Sequence, residues 1–429
     1  MQELNVALVS IGGLTVLLSL AAGLLEDRSY LPSEPIAATA LGVVLGPSGL
    51  DLLHLSGLGE PLAVLEQLAR LTMGLAVMAA ALRLPGRYFR ANDLAMTVVL
   101  VPGLVAMWLV SGGLVYALLD VPLWTALLVG AIVTPTDPVL AGTIVTGDIA
   151  ERYIPEPIRN LLTAESGAND GLAYLLVFLP VLVLEHSPGR ALAAWLFETL
   201  LWEVGAAVAI GAAVGAAVGW IERESSEHAL LEESSLLTIT IAFSFAVLGG
   251  VKLLGSDGVL AVFVAGLLFN RFAQARDRLD EQKVQEAILR LFTFPVFVAF
   301  GLALPWEQWL ALGWTGAALA VGILLLRRLP MVFVFDRFVD SVDDRGALFA
   351  GWFGPIGIAA LFYVTVAHRL IGNEILWTAT SLVVASSVLV HGLTASPLTK
   401  LFGRTTDRDR SQSAADGSEP EPESAFADG

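Results

Sequence analysis

Apolar residues run in blocks of about twenty along most of this chain, separated by short polar stretches. A helix needs about 20 apolar residues to cross a hydrocarbon core. Such runs fall at 4–25, 36–55, 64–83, 94–119, 122–146, 160–184, 199–221, 235–254, 257–271, 287–304, 308–335, 346–368 and 374–398, which predicts an all-α polytopic membrane protein of about 13 transmembrane helices. The third run is crowded by Glu66 and Arg70, and the ninth is short. No repeat of 20–50 residues is visible, which sets aside solenoids and propellers.

Two runs are broken at their centres. Val133-Thr134-Pro135-Thr136-Asp137-Pro138 interrupts the fifth, and Gly351-Trp352-Phe353-Gly354-Pro355-Ile356-Gly357 interrupts the twelfth. Proline removes a backbone donor and clashes with the preceding turn, so Pro135 and Pro138 should unwind their helix. Irregular backbone at membrane depth is tolerated only where protein buries it or it lines a cavity. The breaks lie seven spans apart, so the two helices run in opposite senses. Discontinuous helices in inverted repeats, meeting at a binding site, are the pattern of a secondary transporter. Prolines also kink helices for packing alone, but a pair of breaks at corresponding positions favours the transport site.

Composition narrows the class. The 429 residues are 56% hydrophobic and 15% charged with a mean hydropathy of +0.74, whereas soluble domains are about a quarter charged. Disorder, a secreted disulfide scaffold and an ordinary soluble enzyme are excluded. The absence of cysteine removes disulfides, thiolate metal sites and a cysteine nucleophile. No GxxxxGK[ST] loop offers a phosphate cradle for ATP-driven pumping, and no basic stripe offers a nucleic-acid surface. No cofactor is expected.

The N-terminal residues lack a basic leader, so the first run is expected to be a retained helix. With the N-terminus outside and the C-terminus in the cytoplasm, 18 of the 24 basic residues fall in cytoplasmic loops, three (Arg190, Lys252, Arg369) on the opposite side and three (Arg70, Arg327, Arg328) within spans. That bias is a positive-inside signal. From Thr405 onward the chain turns polar and acidic and is expected to be a disordered cytoplasmic tail. The net charge of −17 sits in this tail and, mostly, in loops such as 222–233 and 336–344. It leaves the bias intact, because the rule counts Lys and Arg rather than net charge. The acidity would suit a salt-loving host.

A carboxylate at the bilayer centre costs at least ~2.5 kcal/mol on insertion scales and is a functional hypothesis by default. The sixth run carries Glu165-Ser166-Gly167-Ala168-Asn169-Asp170-Gly171. On a helix Glu165 stacks with Asn169 and Ser166 with Asp170, while Gly167 and Gly171 turn to another side, where small residues let a neighbouring backbone come close. One face thus presents two acids, a hydroxyl and an amide, oxygen donors that suit a hard monovalent cation. A polar network that merely locks helices together is the plainer alternative; a lone asparagine would fit it better than two acids and a serine do. The unwound segment beside this face would add freed carbonyls and the Thr136 hydroxyl. Asp137 should sit where half-helix N-termini converge, in an electrostatic role that a simple helix cap would share.

Arg327 lies nine residues before Asp336, roughly 13 Å of helix, and hence deep in the membrane. Snorkelling could rescue one arginine. Arg327 and Arg328 point about 100° apart, so at least one needs a buried partner. Glu165 is the candidate, leaving Asp170 as the free acid. His391, near the end of the last run, could sense pH, although a lone histidine there is more often structural.

These residues resemble the electroneutral, NhaP-like branch of the monovalent cation/proton antiporter superfamily, which includes the animal sodium/proton exchangers. The resemblance covers nearly all of residues 1–400. Thr136-Asp137-Pro138, Glu165-Ser166-Gly-Ala-Asn169-Asp170, Arg-x-Leu at 327–329, Gly258-Val-Leu-Ala-Val-Phe-Val-Ala-Gly266 and His391-Gly-Leu-Thr-Ala-Ser-Pro397 stand in the family's order and spacing. It implies an NhaA/NhaP-like antiporter fold over 1–400, with interface helices at about 1–90 and 235–304, core transport helices at about 94–184 and 308–398, and a tail at 401–429. It also implies a homodimer in the lipid bilayer, multi-pass in an inner (plasma) membrane, with a prokaryotic host expected. It assigns Asp170, Ser166 and Thr136, with a carbonyl near Asp137, to the cation. Glu165, Asn169 and the arginine at 327 or 328 would form a stabilising network, Arg327 giving the better local fit. Gly354, Pro355 and Gly357 form the second break. Ile356 departs from the arginine that many members carry there.

The expected activity is exchange of cytoplasmic Na+ (or Li+ or K+) for external H+ by alternating access, serving pH and sodium homeostasis. Proton and cation would compete for Asp170, since either neutralises it and only the neutral site crosses the low-dielectric barrier readily. Asn169 in place of a second acid leaves one exchangeable charge, hence one proton per cation. Potassium/proton antiport by the same mechanism is the alternative. A passive cation channel is more remote, because twin broken helices argue for alternating access. Intramembrane aspartyl proteolysis by Asp137 and Asp170 would need two facing acids sharing a proton, and the expected Tyr-Asp and Gly-x-Gly-Asp motifs are missing.

Overall fold

The structure is a computed structural model that describes residues 2–25, 33–228, 233–272, 278–339 and 342–415. Among these residues there are helices and no strands. Seven helices are long and apolar enough to cross a membrane and six shorter apolar helices accompany them, so the chain is a multi-pass membrane protein. In order, the spans are Gln2–Leu25, Glu34–Leu45, Pro61–Arg83, Asp93–Leu118, the pair Leu123–Ile132 and Pro138–Val145, Glu156–Glu185, Pro188–Ser225, Glu233–Leu253, Gly258–Phe272, Arg278–Leu302, Trp306–Phe338, the pair Asp344–Trp352 and Ile358–Ile371, and Glu374–Ala415. Among the described residues, each of the thirteen apolar runs thus holds a helix, the fifth and twelfth divided where the prolines stand.

Three boundaries differ from the hydropathy reading. The second helix stops at Leu45, because Pro47 biases Gly46 toward an extended conformation; Gly46 sits at φ −80°, ψ −175°, and the chain then turns through Asp51 at φ 58°. The seventh begins at Pro188 and passes through a π-helical stretch, Trp195–Gly205, whose Glu198 and Glu203 interrupt the apolar run. The last helix continues past Thr405 to Ala415, since a helix already nucleated gains a hydrogen bond for each residue added. The remainder of the expected disordered tail, 416–429, lies outside the described residues.

The spans assemble as two groups. The fifth packs on the fourth and sixth, the eleventh lies between the fourth and thirteenth, and the second half of the twelfth packs on the thirteenth. In the other group the tenth runs along the second, the ninth lies between the third and seventh, and the eighth packs on the ninth. The third span is the seam, touching the ninth and tenth on one side and the sixth and twelfth on the other.

Lipid tails are as apolar as leucine, so close backbone approach carries much of the association between spans. Gly211, Gly215 and Gly219 recur every fourth residue on the seventh span and meet the ninth; a Cβ at Gly215 would lie 2.7 Å from Ala265 Cα. Gly167 and Gly171 do the same for the sixth span, a Cβ at Gly171 falling 2.6 Å from Leu260 Cβ. A 360 Å³ cavity opens between the groups at the end where the third and fifth spans finish and the second and tenth begin, with Pro138, Leu140, Thr293 and His391 in its wall. At the opposite end the seam is bridged by Arg369 and Glu66, 3.2 Å apart.

Candidate cation site at the crossing of the broken helices

The two breaks cross, and backbone polarity organises the crossing. Four half-helix ends meet there, each with unsatisfied groups and a partial charge. Asp137 takes the two positive ends. Its Oδ1 accepts from Val139 N (2.7 Å) and Leu140 N (3.2 Å), its Oδ2 accepts from Ile358 N, and its own N–H donates to Pro355 O at 2.8 Å. A single carboxylate thus caps both Pro138–Val145 and Ile358–Ile371. Gly357 permits the approach, because any Cβ at that position would overlap the Asp137 carboxylate.

Arg327 takes the two negative ends. Its Nη1 donates to the carbonyls of Val133 (3.1 Å), Thr134 (2.6 Å) and Pro135 (3.4 Å), and its Nη2 donates to Gly354 O. Arg328 instead grips Glu165 with both terminal nitrogens, the Nη2–Oε2 distance being 3.2 Å, and donates to Ala350 O at 2.7 Å. The partner of Glu165 is therefore Arg328, not Arg327, which the local sequence fit favoured. The cause is a kink. Helix Trp306–Leu326 ends before the arginines and Leu329–Phe338 begins after them, because Pro330 cannot donate back to the preceding turn. In the kink the two guanidinium groups reach different parts of the crossing. Neither snorkels: Arg327 is 1% and Arg328 3% exposed.

The sixth span supplies the rest. Asn169 Oδ1 accepts from Thr136 N (3.1 Å), its Nδ2 donates to Thr136 Oγ1 (2.8 Å), and that hydroxyl lies 3.1 Å from Ser166 Oγ. Asp170, one turn beyond Ser166, is buried, and its Oδ1 has no hydrogen-bond partner. Its backbone carbonyl accepts from the Tyr363 hydroxyl at 2.5 Å, a contact with no signal in the apolar run that contains the tyrosine. Ser166 and Asn169 thus face Thr136 in the fifth-span break, while Glu165 one turn before Asn169 meets Arg328. No group of three or more His, Cys, Asp or Glu able to hold a metal occurs among the described residues. An uncommitted carboxylate oxygen one helical turn from a pair of touching hydroxyls offers oxygen donors of the type that suits a hard monovalent ion.

His391 stands away from these donors. Its Nδ1 is 3.1 Å from Ser387 Oγ, its Nε2 is 3.2 Å from Trp352 O, and Ser387 Oγ accepts from Ile356 N at 2.7 Å. The imidazole braces the twelfth-span break from the last helix. Ile356 uses its amide for this brace and buries its side chain completely.

Because Asp137 satisfies three backbone donors, replacing it should loosen the crossing. Asp137→Asn must set an amide NH2 or a weaker acceptor against one of those N–H groups, an expected loss of about 1–3 kcal/mol. The measurement is the melting temperature in detergent; an unchanged value would mean that the double cap does not hold the crossing together.

The chain is similar to a Schizosaccharomyces pombe protein named "Probable Na(+)/H(+) antiporter", 32% identical over 419 residues, covering 90% of this chain and 55% of that one. It is also similar to a second protein from that yeast, named "Na(+)/H(+) antiporter", 29% identical and covering 91% of this chain and 89% of that one. The chain spans about half the length of the first, and likewise of relatives from Saccharomyces cerevisiae and Zygosaccharomyces rouxii (44% and 52%). Yeast relatives give no support to the expected prokaryotic host. Among solved structures, the sodium proton antiporter MjNhaP1 from Methanocaldococcus jannaschii at pH 8 shares the fold, with a TM-score of 0.65 at 18% identity over 94% of this chain and 98% of that one. The family model described as "Sodium/hydrogen exchanger, transmembrane" matches residues 14–401, and the chain belongs to that family.

Proposed function

We propose that the protein is a secondary antiporter that exchanges Na+ for H+, one for one, with both competing for Asp170. The carrying observation is a charge ledger at the crossing. Glu165 is neutralised by Arg328, Asp137 by two helix N-termini, and Arg327 by the carbonyls of two helix C-termini. Of the acids at the crossing, Asp170 is the one with a buried oxygen that has no partner. A carboxylate left in a low-dielectric surround demands a proton or a cation, and Ser166 and Thr136 supply further oxygens for the cation. A single exchangeable charge makes the cycle electroneutral. Both oxygens of Asp137 are taken by backbone donors, so the two aspartates do not form the proton-sharing dyad of a protease.

The cycle requires the site to face each side in turn. The cavity lined by Pro138 and Leu140, beside the Asp137 cap, opens at one end, and at the other the third span and the Glu66–Arg369 pair close the seam. The fourth to sixth and eleventh to thirteenth spans would rock as the core against the remaining spans, which would carry the interface of a homodimer. The bias of basic residues supports a cytoplasmic cavity with the N-terminus outside, in a plasma membrane. Dequenching of a pH dye in proteoliposomes tests the function: Na+ or Li+ should dissipate a preset pH gradient without a change in membrane potential. A response to K+ alone would reassign the protein to potassium/proton exchange, and no response to any of the three would overturn antiport.

A further inference from the structure

On the side of Asp170 away from the cavity there is a second group of acids, Asp257 buried and Glu203 half-buried. The sixth span begins near the cavity end, and one turn past Asp170 it presents Tyr174. The Tyr174 hydroxyl donates to Glu203 Oε1 at 3.0 Å. Asp257 N donates to Glu203 O at 2.9 Å, which sets the two acidic residues side by side. Tyr363, whose hydroxyl reaches the Asp170 carbonyl, meets the Tyr174 ring edge-on with centroids 6.5 Å apart. Glu203 and Asp257 come from the seventh and ninth spans, the tyrosines from the sixth and twelfth. The cluster therefore sits on the seam between the two groups of helices.

Asp257 is 4% exposed, and its two oxygens have different fates. Oδ1 caps the ninth span, accepting from Val259 N at 2.9 Å and Leu260 N at 3.3 Å. Oδ2 is buried with no hydrogen-bond partner. Capping needs one acceptor, and asparagine or serine caps as well as aspartate does. The charge and the second oxygen are surplus to folding, and a buried carboxylate oxygen without a partner is unfavourable unless something occupies it. The other charged groups facing the cluster are Lys252, exposed at the end of the eighth span, and Glu198 on the seventh.

We propose that Asp257 Oδ2, the Glu203 carboxylate and the Tyr174 hydroxyl form a second site for a monovalent cation, a station between Asp170 and the surface opposite the cavity. It rests on the antiport reading, and it gives the route on that side an acidic, oxygen-lined stop one helical turn from the exchange site. Lys252 at its edge competes with the arriving cation. The site would act on capture of the ion from one side of the membrane only.

Sided kinetics test it. Proteoliposomes captured by a C-terminal tag present one orientation, and Na+ is supplied either on the tag side or on the side of Lys252. Asp257→Asn and Glu203→Gln keep the cap and the tyrosine bond. Each should raise the ratio of the Lys252-side KM to the tag-side KM about tenfold, the scale on which a cleft of one charge sign concentrates its counter-ion. Lys252→Gln, an exposed position whose change does not threaten folding, should lower that ratio. Equal changes of KM on both sides, or a ratio unmoved in all three variants, would overturn the second site. Absence of exchange by the wild-type protein in the same vesicles would overturn the antiport reading instead.

Discussion

Asp170→Asn should abolish sodium-driven proton movement in proteoliposomes and leave the protein folded. Asparagine has nearly the same shape, so Ser166, Thr136 and Tyr363 keep their places. It cannot bind and release a proton, and it brings no charge to attract Na+. Every other charge at the crossing is already matched: Glu165 with Arg328, and Asp137 and Arg327 with four helix ends. No neighbour stands ready to take over. Stability separates this reading from that of a polar lock between helices. A lock residue loses hydrogen bonds when replaced, and the melting temperature falls. Asp170 has a buried oxygen without a partner, so removing its charge should leave the melting temperature equal or higher. Exchange at the wild-type rate in this variant would end the role of Asp170 as carrier.

Glu165→Gln should be the most destabilising single change at the crossing. It strands the Arg328 guanidinium, 3% exposed, without a counter-charge. Removing one member of a buried ion pair costs about 3–5 kcal/mol, whereas replacing both members with apolar residues of similar volume is often neutral. Glu165→Leu combined with Arg328→Met should therefore recover most of the stability lost in either single variant. The same exercise with Arg327→Met should show no recovery, because Arg327 serves backbone carbonyls that no change at Glu165 replaces. Melting temperatures in detergent of the wild type, Glu165→Leu, each arginine variant and the two double variants give the two double-mutant cycles. Recovery with Arg327 rather than Arg328 would reverse the assignment of the pair.

Much of this protein was legible from local chemistry. Apolar run length meets a fixed bilayer thickness, and the Pro-x-x-Pro and Gly-Pro-x-Gly stretches unwind their helices. Thirteen apolar runs, two of them broken, therefore follow without tertiary information; single prolines such as Pro180 and Pro295 stay inside continuous helices. The Glu165–Asp170 face follows from helical period alone. Legibility failed where charges sit inside a span: Arg190 and Glu198 hid the first turns of the seventh helix, because hydropathy cannot tell a charged loop from charged residues that a helix carries. It failed again at Arg327 and Arg328, adjacent in sequence and equivalent in type, whose partners depend on the kink before Pro330.

The membrane class, the apolar runs, the two breaks and the residue types available for a cation all follow from interactions within a few residues, and so are readable along the chain. Only the tertiary structure decided that Asp137 caps two helices from different repeats, that Arg328 holds Glu165, and that Asp257 and Glu203 lie beside Tyr174. Those arrangements bring together groups far apart along the chain. Their partners are chosen by which half-helix ends and unpaired charges the packed helices enclose, and no local pattern encodes that choice.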